Sequence, residues 1–212
     1  MSETFQVDID ELAEIVKEKI TAEEVRDFND IVDFSQSIND RVIFLSAIVD
    51  GTGYYVDRLI RYWNKVDDKN NIPIEERQPI KIYIDSMGGS MCDTLTMVDS
   101  IKLSKTPVWT IVVCAAYSGG FFTFIAGHKR IAYPHASFLY HEGATGTSGT
   151  AAQFENYTAF YKRQLNQLKQ IVLENTNITE EEYKDIKKDD VWYTAEDGVE
   201  KGFVDEIAKE FV

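Results

Sequence analysis

The chain has 212 residues, 44% of them hydrophobic and 27% charged, which is too apolar for a largely disordered chain and enough for a real core. Lys and Arg number 22 against 36 Asp and Glu, a net charge of −14, which argues against a nucleic-acid binder and against attraction to anionic membranes. Cys92 and Cys114 are too few for a disulfide framework and lack metal-ligand spacing, so no metal or other cofactor is expected.

The elements follow in chain order. Residues 9–20 carry apolar positions at helical spacing, and the acidic stretch 22–33 reads as a second short helix. The first twenty residues show neither a basic nor an apolar signal region, and the longest apolar run, 110–117, is far short of a membrane span. The expected location is the cytoplasm. Residues 41–45 read as a strand, 54–65 as an amphipathic helix and 67–78 as a polar loop containing Pro73. Residues 80–84 and 108–114 read as strands, with a helix over 92–103 between them. Residues 118–126 are small and apolar, as in a buried helix; 129–132 and 137–140 read as short strands. A long helix covers 151–175, and shorter ones cover 179–187 and 195–202. Strands alternating with helices imply an α/β fold.

Two glycine turns follow predicted strands and precede predicted helices: Ser86-Met87-Gly88-Gly89-Ser90 and Tyr117-Ser118-Gly119-Gly120. Glycine there permits positive φ, and N–H groups at a helix start are left unpaired. Such donors suit a phosphate or the oxyanion of an acyl-transfer intermediate. Neither turn has the spacing of a phosphate-binding Walker motif or a dinucleotide fingerprint. Ser118 sits at a strand-to-helix junction in the manner of a nucleophile elbow, and its hydroxyl needs a base. Of the three histidines, His128 reads as a solvated turn residue and His135 as a loop residue. His141, at the end of strand 137–140, stands where catalytic groups collect in α/β folds, although a plain structural histidine would fit there too.

Taken in order, these motifs resemble the ClpP family, the proteolytic subunits of ATP-dependent Clp proteases. The resemblance runs from about residue 41 to 207. Ile82-Tyr-Ile-Asp-Ser-Met-Gly-Gly89 is similar to the family's "YINSPGG", and residues 118–127 to its "SMGAFLLAAG". Phe138-Leu-Tyr-His141 resembles "VMIH", and the segment from Asp190 to Asp205 resembles the family's terminal motif. Gly89 and Ser118 lie 29 positions apart and His141 and Asp190 lie 49 apart, both matching the family pattern without gaps.

The resemblance implies a ClpP/crotonase-like α/β fold of repeated β-β-α units with a protruding handle helix at 151–175. It implies a serine endopeptidase with Ser118 as nucleophile, His141 as base and Asp190 as the orienting acid, Asp189 being the rival for that last role. It places the oxyanion hole at the N–H groups of Gly89 and Gly119. An extended substrate would lie along Gly88, Ser90, Met91, Glu142 and Gly143. The implied partners are further copies of the chain in a heptameric ring, single or doubled, an AAA+ unfoldase, and unfolded polypeptide. A non-catalytic ring scaffold and, more remotely, a crotonase-like acyl-CoA enzyme are the alternatives.

The sequence departs from that pattern in places. Met87 and Gly143 replace prolines, Tyr117 replaces a small alanine before the nucleophile, and Asp189 replaces a basic residue. Tyr117 could pack against the specificity pocket or block it. Residues 1–40 do not resemble the family's axial gate; they hold twelve Asp and Glu against three Lys and Arg, a local −9. The expected division is an acidic helical segment, 1–40, and a protease-like domain, 41–212.

Overall fold

The structure is a computed structural model and describes residues 37–186 and 189–212. The helices expected over 9–20 and 22–33 lie outside the described residues. The chain divides into two units, Met1–Val42 and Ile43–Val212.

The second unit is built on a mostly parallel sheet, as the alternating pattern requires. Strands β1 (Val42–Leu45), β2 (Ile80–Ser86), β3 (Val108–Tyr117), β4 (Lys129–Ala132) and β7 (Glu206–Ile207) lie side by side in that order. Strand β3 has ten residues and two successive partners on one side. Trp109–Val112 pair with β4, and Ala115–Tyr117 pair with β5 (Ser137–Tyr140). Strand β6 (Val191–Thr194) then adds to β5 antiparallel. The sheet therefore forks, and the end of β3 lies in the β5–β6 branch.

Strand β2 alternates strictly, with Ile80, Ile82 and Ile84 fully buried. Helix α1 (Thr52–Lys69) buries Val56, Leu59, Ile60 and Trp63 along one face, at about 1.5–3 kcal/mol for each large aliphatic side chain. Its start is tied to α2 (Met91–Leu103) through Asp93 Oδ1, which accepts from the N–H groups of Gly51 and Gly53 at 3.0 and 2.8 Å. Helix α3 (Gly119–Ile125) is buried at every position. Phe121, Phe124, Phe138 and Phe203 form a linked aromatic core between α3 and β5, with ring centroids 5.1–5.3 Å apart.

Helix α4 (Ala151–Asn175) is different. A Thr150–Gln153 capping box starts it, yet only Leu168 and Val172 are buried. Phe154 and Phe160 face solvent in the single chain. Helices α5 (Glu180–Ile186) and α6 (Ala195–Glu200) complete the second unit. Among the described residues no helix is long and apolar enough to cross a membrane.

The polar stretch 67–78 is not wholly a loop. Helix α1 continues to Lys69 and a 3-10 turn covers Ile74–Glu76. The reason is Asp67, fully buried and accepting from the Thr106 hydroxyl at 2.7 Å.

Candidate active site

Strand β3 delivers Ser118 into a sharp turn before α3. Ser118 has φ 53° and ψ −118°, a conformation rare outside glycine that costs on the order of 1–3 kcal/mol. The fold holds it there. Its N–H donates to Leu139 O on β5 at 2.9 Å, and its carbonyl accepts from Phe122 N–H at 3.3 Å. Gly88 fits beneath the turn, with φ +94°. A Cβ added there would stand 2.7 Å from Ser118 Cβ and 2.9 Å from Gly119 N.

Gly89 bridges to Ile48. Ile48 N–H donates to Gly88 O at 3.4 Å, and Ser90 N–H donates to Ile48 O at 2.9 Å. Those bonds flank Gly89, so strand alternation turns the N–H of Gly89 to the opposite side. Gly119 is the first residue of α3, so its N–H has no acceptor one turn back. A Cβ on Gly119 would lie 3.5 Å from Gly89 N, which makes the two backbones near neighbours.

His141 follows the last residue of β5. The β5–β6 register pairs Tyr140 with Val191, so the next step sets His141 opposite Asp190. His141 Nδ1 stands 3.8 Å from Asp190 Oδ1, within ion-pair range and too long for a hydrogen bond. Among the described residues Asp189 forms no such pair with His141, and no hydrogen bond joins Ser118 to His141.

Ser118 and His141 share one cavity of about 590 Å³, which Gly89, Gly119, Met91 and Glu142 also line. Ser90 and Gly143 line it too, while Gly88 and Asp190 do not. Gly88 lies behind the elbow. The main chain of Ser90 is already engaged: its N–H serves Ile48 and its carbonyl accepts from Thr94. Gly143 has φ +75° with nothing near its missing Cβ, so the backbone beyond His141 is open at that point.

Reading by motif did not foresee the far wall. Tyr157, Tyr161, Gln164 and Leu168 of α4 line the cavity. Their spacing puts them on one helix face, which is the signal that could have found them. Tyr161 OH donates to Glu142 O at 3.4 Å, and the Thr145 and Tyr157 hydroxyls hydrogen-bond. Tyr117 is not part of the wall. Its ring meets Trp192 edge-on at 5.0 Å, and its hydroxyl hydrogen-bonds Ser137 Oγ at 2.8 Å. His128 is more than a turn residue, since its Nδ1 accepts from Val108 N–H at 2.9 Å and caps the start of β3. A wider hollow beside Lys102 and Arg130 offers no comparable set, because Arg130 is held by Asp205 and Lys102 by Asn175.

Residues 30–211 match the family model described as Clp protease. The chain belongs to the Clp protease family. It is 29% identical over 183 residues to the ATP-dependent Clp protease proteolytic subunit 2 of Corynebacterium glutamicum, covering 84% of this chain and 86% of that protein. The proteins of the same name from Rhodococcus jostii and Corynebacterium efficiens are 31% and 29% identical. Those alignments cover 60% and 82% of this chain and 67% and 85% of the respective relatives. Membership in the Clp protease family supports a proteolytic subunit and, in general, a serine peptidase. At about 30% identity the chain is a divergent member, and its α/β architecture with a parallel sheet agrees with the ClpP fold.

Proposed function

We propose that this chain is an active serine endopeptidase that cleaves unfolded polypeptide inside a ring of its own copies. The observation that carries the reading is the strained Ser118 elbow, open to the same cavity as His141, with Asp190 behind the imidazole. A strained backbone at a serine bordered by two outward N–H groups suits acyl transfer, where such donors receive the developing oxyanion.

In this mechanism Ser118 Oγ attacks the scissile carbonyl while His141 Nε2 takes its proton. The N–H groups of Gly89 and Gly119 receive the oxyanion. Asp190 holds the imidazole through Nδ1 and stabilises its charged form. His141 then gives the proton to the leaving amine, and water releases the acyl group by the same route. Substrate backbone runs between Gly89–Met91 and Glu142–Gly143, which suits an extended chain of varied sequence. The exposed aromatics of α4 suit burial against another copy in a heptameric ring or a stacked pair of rings. An AAA+ unfoldase is the expected source of substrate.

The second reading is a ring subunit without chemistry. The 3.8 Å His141–Asp190 separation and the missing Ser118–His141 hydrogen bond favour it in this conformation. Catalytic hydrogen bonds are often long in free enzymes and tighten only in complexes, so the protease reading accommodates both distances. Peptide hydrolysis by the assembly, its mass established under native conditions, separates the two. The protease reading predicts turnover that Ser118→Ala abolishes; turnover that persists in Ser118→Ala, or none in any assembly state, overturns it.

A further inference from the structure

The cavity at Ser118 carries a lopsided charge. Apart from His141, Glu142 is the one ionisable acid or base of the Asp, Glu, Lys and Arg types among the described residues that line it. No Lys or Arg lines the cavity, and none forms an ion pair with Glu142 among the described residues. An unneutralised carboxylate therefore sits one residue from His141, at the edge where substrate would lie.

Its surroundings suit a cation. The Tyr157 and Tyr161 rings stack with centroids 6.3 Å apart and planes within 9°, next to the Glu142 backbone that Tyr161 holds. Aromatic faces attract ammonium and guanidinium groups. Met87, Phe122 and Leu168 supply apolar wall on which a Lys or Arg stem can lie. Burial first, and then the Glu142 carboxylate, hold Tyr161 above the usual phenol range.

We infer that Glu142 is a specificity-determining residue: it makes the cleft favour polypeptide segments with Lys or Arg beside the scissile bond and disfavour acidic ones. The inference rests on the reading of Ser118 as nucleophile and adds a substrate class to it.

The test uses the assembled full chain and matched fluorogenic peptides that differ by one residue, Lys, Gln or Glu, on either side of the cleaved bond. The readout is the ratio of kcat/KM for the Lys and Glu peptides within each protein, so changes in overall rate cancel. At low salt the ratio is expected to be about tenfold in favour of Lys, the scale of one partly screened charge contact. It should fall severalfold at about 0.5 M salt, where screening acts over only a few ångströms. Glu142→Gln should bring it near one and Glu142→Lys should invert it. If these variants do not fold, the salt titration of the unmodified chain decides. Equal cleavage of the three peptides, or a ratio unchanged in Glu142→Gln, overturns the inference and leaves the nucleophile standing. Cleavage of none, with Ser118 inert to a serine-directed fluorophosphonate, overturns both.

Discussion

His141 Nδ1 faces Asp190 Oδ1 across 3.8 Å because the antiparallel β5–β6 register sets the two side by side. Asp189 has the same chemistry one position away and no such pairing. Asp190→Asn should therefore lower kcat/KM by about 10²–10⁴-fold, as expected when the group orienting a catalytic imidazole loses its charge. Asp189→Asn should change it by less than about threefold, as for an ordinary surface site. The reverse order, measured on one fluorogenic peptide, would reassign the acid.

Gly88 and Gly51 make a matched pair. Both have φ +94°, but a Cβ on Gly88 would strike Ser118 Cβ, Tyr117 O and Gly119 N at 2.7–2.9 Å, whereas one on Gly51 meets nothing within 4 Å. Gly51→Ala isolates the backbone strain, on the order of 1 kcal/mol, and should leave Ser118 reactivity unchanged. Gly88→Ala should cost more stability and slow labelling of Ser118 by about 100-fold or more, since a small misplacement of reacting groups is severe. Denaturant unfolding and labelling rates check both. Similar labelling rates in the two variants would mean that Gly88 does not shape the elbow.

Tyr140 immediately precedes His141, and its hydroxyl donates to Tyr183 OH at 2.6 Å with both residues buried. Burial, chiefly, raises the pKa of each phenol, so both stay neutral. Tyr183→Phe should cost about 1–3 kcal/mol because a buried donor loses its acceptor. Tyr140→Phe,Tyr183→Phe together should cost less than the sum of the single changes. Strict additivity in urea titrations would show that the pair contributes no coupling.

Much of this fold was legible because its two central strands, β2 with alternating isoleucines and β3 with a nearly continuous apolar run, each end in a glycine turn. Residues 80–84 and 108–114 announce buried strands, and Ser118-Gly119-Gly120 after the second announces the turn. Other features depend on contacts distant in sequence. Strand β6 has four residues with Trp192 turned outward, and β7 has two; pairing with β5 and β4 defines them. Asp67 looks like loop polarity until the fold brings the Thr106 hydroxyl to donate to it in the core. The outward N–H of Gly89 follows from a bridge to Ile48, 41 positions earlier, which no local motif encodes. Likewise, Tyr157 and Tyr161 read as helix-face aromatics, and only the fold brings them beside Glu142.

Glu182 gives the second unit an acid-sensitive tie. Its carboxylate accepts from Thr179 N–H at 2.9 Å and Thr179 Oγ1 at 3.1 Å, and pairs with Lys201 Nζ at 2.9 Å. The Thr179 backbone bond first, then the Lys201 contact, lowers its pKa from 4.5 to about 2. A carboxyl depressed in the folded state stabilises fully above its unfolded pKa and loses that effect as pH falls through its folded value. The Tm gap between the parent and Glu182→Gln should therefore be widest above pH 4.5 and close as pH falls towards about 2. A gap that widens on acidification would contradict the assignment.

The central claim is that Ser118 is a nucleophile. Intact-mass and peptide-mapping analysis of the assembled protein after exposure to a serine-directed fluorophosphonate tests it most directly. The account predicts one adduct per chain, mapped to Ser118 and absent from Ser118→Ala. No adduct in any assembly state, or an adduct elsewhere that persists in Ser118→Ala, would contradict it.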